Sequence, residues 1–102
     1  MIEIESSEHF LEVLKMYDYV IADFYATWCG PCKKMAVYLQ KVQENNKGIV
    51  IVKINVDELR EISDLFEVSS LPTVLFIKKG KILHKVFGMD ESEVNAGILS
   101  FQ

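Results

Sequence analysis

Residues 19–25 read Tyr-Val-Ile-Ala-Asp-Phe-Tyr, an apolar run broken by a single charge, Asp23. A strand this uniformly apolar has no face to give to water, so it must be covered on both sides, as in sheets with helices packed above and below. That requirement excludes an isolated hairpin or a half-exposed meander and asks for an α/β arrangement. The chain has the means to meet it. With 102 residues, 50% of them hydrophobic, it can bury a core without metals or multiple disulfides, and its length suits one domain over residues 1–102.

The period of the remaining apolar residues switches repeatedly between strand and helix. Residues 2–5 alternate as a short strand, and Ser6 or Ser7 then caps a helix whose stripe is Phe10, Val13, Leu14 and Tyr17. Cys32, Met35, Ala36, Leu39 and Val42 share one face of a second helix, which Asn45-Asn46-Lys47-Gly48 ends. Residues 49–56 form a third strand, and Asp57 is placed to cap a helix carrying Leu59, Ile62, Leu65 and Phe66. Residues 73–77 and 81–87 are strands joined across Lys78-Lys79-Gly80 as a hairpin. Asp90, with Glu93 three residues on, resembles a capping box for a last helix carrying Val94, Ile98 and Phe101. The order βαβαβαββα predicts a central mixed β-sheet of about five strands flanked by about four helices. Its neighbours are parallel where the chain crosses over and antiparallel at the terminal hairpin.

The net charge of −4 leaves no basic footprint for nucleic acid. Lys78, Lys79, Lys81 and Lys85 form the one basic cluster and read as the solvated turn and protected edge of the hairpin. No apolar run approaches membrane-spanning length, and Met1-Ile2-Glu3-Ile4-Glu5 lacks the basic and apolar regions of a secretory signal. The expectation is a soluble cytoplasmic protein with neither nucleic acid nor membrane as partner. In that reducing compartment a cysteine pair is catalytic or metal-binding rather than a permanent bridge.

The two cysteines stand in Trp28-Cys29-Gly30-Pro31-Cys32, between the apolar strand and the second helix. With the first helical turn starting at Pro31, their side chains come within disulfide-bonding range. The unpaired N–H groups and the positive dipole end at such a turn favour thiolate over thiol. An ordinary thiol is only about 3% ionised at pH 7, and the ~2 kcal/mol that would make half of it thiolate is the most a dipole supplies. Direct hydrogen bonds to the sulfur are therefore needed too. Cys32 continues onto the buried stripe, whereas Cys29 precedes the helix beside Trp28 and Gly30. Cys29 is accordingly read as the exposed attacking thiol and Cys32 as the buried resolving thiol of dithiol–disulfide exchange. Two alternatives compete. A zinc site needs more than His9 and His84, which lie far apart and lack zinc-finger spacing, so no metal is expected. Two inert core cysteines are the other.

Trp28-Cys29-Gly30-Pro31-Cys32-Lys33, preceded by Asp23-Phe24-Tyr25-Ala26 and followed by Leu71-Pro72-Thr73 and Gly88, closely resembles the thioredoxin family over essentially the whole chain. The resemblance implies the thioredoxin fold and a small monomeric protein-disulfide reductase with no tightly bound cofactor. Its partners would be disulfide-containing proteins and thioredoxin reductase, through which NADPH recharges the reversible Cys29–Cys32 disulfide.

Residue roles follow from the same likeness. Asp23 shares a strand face with Ile21 and Tyr25; it either reaches solvent from the strand end or is buried, in which case burial would raise its pKa and fit it to exchange a proton with a thiol. The resemblance implies that this thiol is Cys32, reached through water, and that Lys53 matches a family lysine near the aspartate. Lys53 alternatively snorkels to solvent. X–Pro bonds are mostly trans, so Leu71-Pro72 taken alone reads as a trans turn. The resemblance makes it cis, lying against the cysteines, with the backbone before Pro72 pairing with an extended substrate. Trp28, Gly30, Leu71, Thr73, Gly88 and Met89 then border a shallow, mostly apolar docking groove.

The chain also departs from the family. Val37 stands where many thioredoxins carry a helix-kinking proline, and Tyr25 where many bacterial members carry a second tryptophan. Gly30-Pro31 between the cysteines resembles reducing rather than oxidising members. An oxidase or isomerase of the same fold, and a non-enzymatic binding subunit using the same groove, are the alternative functions.

Overall fold

In the computed structural model, which describes residues 1–102, the elements follow in the order β1 (Ile2–Glu3), α1 (Ser7–Met16), β2 (Tyr19–Tyr25), α2 (Gly30–Asn45), β3 (Val50–Asn55), α3 (Arg60–Leu65), β4 (Thr73–Lys78), β5 (Lys81–Phe87) and α4 (Glu91–Leu99). The sheet order is β1-β3-β2-β4-β5, with β1, β3 and β2 parallel, β4 antiparallel to β2, and β5 antiparallel to β4. The apolar run of β2 therefore lies at the centre, where Val20, Ile21, Ala22, Asp23 and Phe24 are all fully buried. Strand β1 is shorter than its alternation suggested: only Ile2 and Glu3 are in register, opposite Val52 and Lys53 of β3.

Each face of the sheet carries its own core. On one side Phe10 and Val13 of α1 and Ile62 of α3 pack on Val20, Ala22, Phe24, Val52, Ile54, Leu75 and Ile77. On the other, Met35, Leu39 and Val42 of α2 and Val94 of α4 pack on Ile21, Ile51, Val74, Phe76 and Val86. Alternate β2 residues thus serve opposite cores, which is why the strand has no polar face. Phe101 closes the second core, its ring 5.8 Å from Phe76 and 5.2 Å from Tyr19.

Local chemistry sets most of the element ends. The Ser6 hydroxyl caps α1 by accepting from His9 N–H at 3.0 Å, and the Asp90 carboxylate caps α4 by accepting from Glu93 N–H at 3.1 Å. Glu93 does not reach back to complete a capping box; its carboxylate lies 3.2 Å from His84 Nε2. Lys79 and Gly80, at φ of 50° and 80°, make the two-residue turn of the β4–β5 hairpin, whose twist suits left-handed backbone. Helix α2 runs unbroken through Val37.

The expected cap of α3 is a correction. Asp57 does not cap that helix; Leu59 occupies the N-cap position and makes no side-chain bond. Instead Asn55, almost fully buried, accepts from Asp57 N–H at 3.0 Å and Glu58 N–H at 3.3 Å, closing a turn that leaves the Asp57 side chain free. Leu65, expected on the buried stripe, is 76% exposed because this short helix turns it away from the sheet.

Candidate functional site: a disulfide between two cavities

The end of β2 delivers Ala26 and then Cys29, whose N–H donates to Ala26 O at 3.2 Å. Cys29 is the N-cap of α2, Gly30 opens the helix and Pro31 lies in its first turn, where a missing N–H costs nothing. Cys29 and Cys32 are joined as a disulfide, with Cα atoms 5.3 Å apart. Cys32 N–H donates to Cys29 Sγ at 3.2 Å, the direct bond to sulfur that the dipole alone could not replace. Ala26, Cys29 and Cys32 form a small buried cluster, with Leu71, Tyr25 and Val56 packed against it.

The reading of Cys29 as exposed is corrected here. Cys29 is 5% exposed and Cys32 3%, so accessibility barely separates them. What separates them is the cavity each lines. Cys29 belongs, with Trp28, Gly30, Pro31 and Leu71, to an open groove of about 620 Å³. Cys32 instead lines a cavity of about 230 Å³ on the other side of the turn, together with Tyr25, Ala26, Lys33, Ala36 and Lys53.

The groove differs from the expected one in its far wall. Trp28 is 70% exposed, and its indole N–H donates to Asp57 Oδ2 at 2.8 Å. That side chain is free to accept because Asn55 has taken the amides of its turn. Arg60, Ser63 and Asp64 of α3 and the segment Val68-Ser69-Ser70 complete the lining, so the groove is mixed rather than mostly apolar. No pattern within α3 signals this wall, since it depends on the helix folding back beside Trp28.

The Leu71-Pro72 bond is cis, and Pro72 O accepts from Gly88 N–H at 2.8 Å. Gly88 takes φ of 81°, a left-handed conformation that suits glycine. Of the other residues expected at the groove, Thr73 is buried with its hydroxyl donating to Ser70 O at 2.6 Å, and Met89 packs on the α2–α4 core. Pro72, Thr73, Gly88 and Met89 do not line the groove itself.

Asp23 is wholly buried and neither carboxyl oxygen has a hydrogen-bond partner. Burial pushes its pKa from 3.8 up to about 7, the nearby Lys53 charge pulling it down and Glu3 adding to the rise. No group of three His, Cys, Asp or Glu side chains is placed to hold a metal ion, and no helix is long and apolar enough to cross a membrane.

A thioredoxin family profile matches residues 1–100. The chain belongs to that family. Thioredoxin-2 of Saccharomyces cerevisiae is 40% identical to it over 81 residues, 79% of this chain and 78% of that protein. The crystal structure of mitochondrial thioredoxin 3 from Saccharomyces cerevisiae, in its oxidized form, superposes with a TM-score of 0.92 at 33% identity, covering 97% of this chain and 93% of that one. Plasmodium falciparum thioredoxin gives a TM-score of 0.93 at 27% identity with both chains covered in full. The disulfide between Cys29 and Cys32 is thus the redox pair of a thioredoxin-family dithiol–disulfide oxidoreductase.

Proposed function

We propose that this thioredoxin is a single-domain protein-disulfide reductase in which Cys29 attacks and Cys32 resolves. The observation that carries the reading is the placement of the two sulfurs of one disulfide: Cys29 on an open groove, Cys32 on a separate, smaller cavity. A protein segment in the groove meets Cys29 first.

In the reduced protein the N–H of Cys32, together with the first turn of α2, holds Cys29 as thiolate. That thiolate attacks one sulfur of a substrate disulfide; the substrate S–S bond breaks, one substrate thiolate leaves, and a mixed disulfide forms with Cys29. Cys32 passes its proton through water to the Asp23 carboxylate, whose value near 7 allows it to hold or release that proton around neutrality. The Cys32 thiolate then attacks Cys29 Sγ and expels the second substrate thiolate. Two electrons have moved to the substrate, both substrate thiolates take up protons, and the protein is left with the Cys29–Cys32 disulfide.

Trp28, Gly30, Pro31 and Leu71 serve as the docking wall beside Cys29. Leu71 lies against the cysteine cluster, and its N–H and C=O make no hydrogen bond within the chain, which supports pairing with an extended segment just before the cis-Pro72. Thr73 and Gly88 brace the segment around Leu71 by donating to Ser70 O and Pro72 O. Thioredoxin reductase, with NADPH as the electron source, returns the disulfide to dithiol, and no cofactor is tightly bound. The cytoplasm, with its reducing poise, is the compartment that suits such a cycle.

NADPH-dependent reduction of insulin in the presence of a thioredoxin reductase tests the reading, and no turnover with a competent reductase would refute it. Cys32→Ser should trap substrates as mixed disulfides on Cys29. Equal trapping by Cys29→Ser would reverse the two roles.

A further inference from the structure

On the sheet face covered by α2, the strand registers set Glu3 beside Lys53 and Lys53 beside Asp23. The three make a row of acid, base and acid running from the exposed edge of the sheet to its buried centre. Yet the row does not close into ion pairs. No lysine or arginine lies within 4.0 Å of a carboxylate, the one acid–base contact being His84 with Glu93, and both Asp23 oxygens are unpartnered. The Lys53 ammonium lies instead over the Tyr25 ring, 4.2 Å from its centroid, where the electron-rich face attracts it. Tyr25 is held in turn, its hydroxyl donating to Glu3 Oε2 at 2.7 Å. Tyr25 and Lys53 both line the cavity that Cys32 borders.

We propose that Tyr25, clamped by Glu3, is a positioning residue for proton exchange at Asp23: its ring seats the Lys53 ammonium at the cavity under Cys32 and keeps it from pairing with the Asp23 carboxylate. A direct Lys53–Asp23 pair would hold the carboxylate ionised well below neutrality, leaving no proton to hand over near pH 7. With no ammonium nearby, burial alone would drive the carboxyl higher still and leave it protonated. The seat on Tyr25 lies between these extremes. The charged and titratable groups on this row are Lys53 of β3, in register with Asp23, Glu3 of β1 beyond it, and Tyr25 two residues along β2 itself; β4 presents Val74 at that register, and Cys32 and Lys33 of α2 line the cavity that Tyr25 and Lys53 border. Burial, Lys53 and Glu3 act on the carboxyl in that order. The functional consequence rests on the reading that Asp23 takes the proton of Cys32; the positioning itself does not.

The test is the titration of the Asp23 carboxyl by carbon NMR in the oxidised full-length protein, beside the pH profile of insulin reduction. Tyr25→Leu, which frees the ammonium to reach the carboxylate, should lower the Asp23 midpoint by about one pH unit. Tyr25→Phe keeps the ring but releases the Glu3 clamp and should give a smaller drop in the same direction, so a poorly folded leucine variant does not end the test. Lys53→Gln should raise the midpoint, and adding Tyr25→Leu to it should produce no further drop, because no ammonium remains to be released. An unmoved midpoint in both Tyr25 variants overturns the proposal, as does an equal drop with and without Lys53. If the titration shifts as expected while the activity profile stays in place, the positioning stands and the Asp23–Cys32 proton exchange fails.

Discussion

Asn in place of Asp23 should stabilise the oxidised protein at neutral pH and leave it almost unchanged in acid. Unfolded, the carboxyl titrates near 3.8; folded, near 7. The gap is about three units, and at ~1.4 kcal/mol per unit it amounts to about 4 kcal/mol. The sign follows from which state keeps the proton. Below about pH 4 both states are protonated and the group contributes nothing to the pH dependence. As pH rises, the unfolded chain releases its proton while the folded chain holds on, so stability falls until the folded carboxyl ionises near 7. Asp23 is fully buried, so solvent screening does not reduce the figure. An asparagine carries the same volume and orphaned polar atoms at every pH, so comparing the two proteins across pH isolates the charge.

Urea unfolding of both oxidised proteins at about pH 4 and about pH 8 is the assay; with a slope near 2 kcal/mol/M, the variant should gain about 2 M in midpoint over wild type on going to the higher pH. A gain that stays below about 1 kcal/mol throughout would show that the carboxyl is solvated and that burial does not set its protonation.

Gly97→Ala tests packing against propensity. In an exposed helix alanine would gain about 1 kcal/mol, but here the new Cβ would overlap the ring of the fully buried Phe76, so thermal unfolding should show a loss of about 1 to 3 kcal/mol; a raised Tm would mean that the ring yields freely. Asn55→Ala removes Asn55 Oδ1, the one acceptor for both amides of the turn that offers Asp57 to Trp28, and should cost about 1 to 3 kcal/mol. Because Trp28 is the single tryptophan, its fluorescence anisotropy should fall as the indole loses its anchor, and an unchanged anisotropy would disconnect the turn from the indole.

What was legible from residues alone is what short-range chemistry decides. The caps at Ser6 and Asp90 are interactions across three residues, and Asp23 stood out as the lone charge of its strand, though its burial depends on the helices that cover both faces. The Cys29–Cys32 bond spans the first turn of one helix, so its spacing was sufficient. The turn after β3 was misread because Asn55 and Asp57 are both good amide acceptors two residues apart. Which one turns inward depends on burial at the sheet edge, not on local preference. The contacts that shape the two cavities span 29 residues in Trp28–Asp57 and 22 in Tyr25–Glu3, and only the sheet order brings them together. The near-equal burial of the two cysteines escaped for a similar reason, since Leu71 and Val56, which cover them, come from elsewhere in the chain.

Strand β2 is hydrogen-bonded along both edges and covered on both faces, so it opens to solvent only when the whole molecule does. The redox pair hangs from the end of this strand. The disulfide itself lies in the opening turn of α2, with Cys29 on the groove and Cys32 on the smaller cavity. A partner that must tell the charged carrier from the spent one has to read it there, at Trp28 and the Cys29-Gly30-Pro31 turn. Strand β5, at the far edge of the sheet, lines neither cysteine cavity.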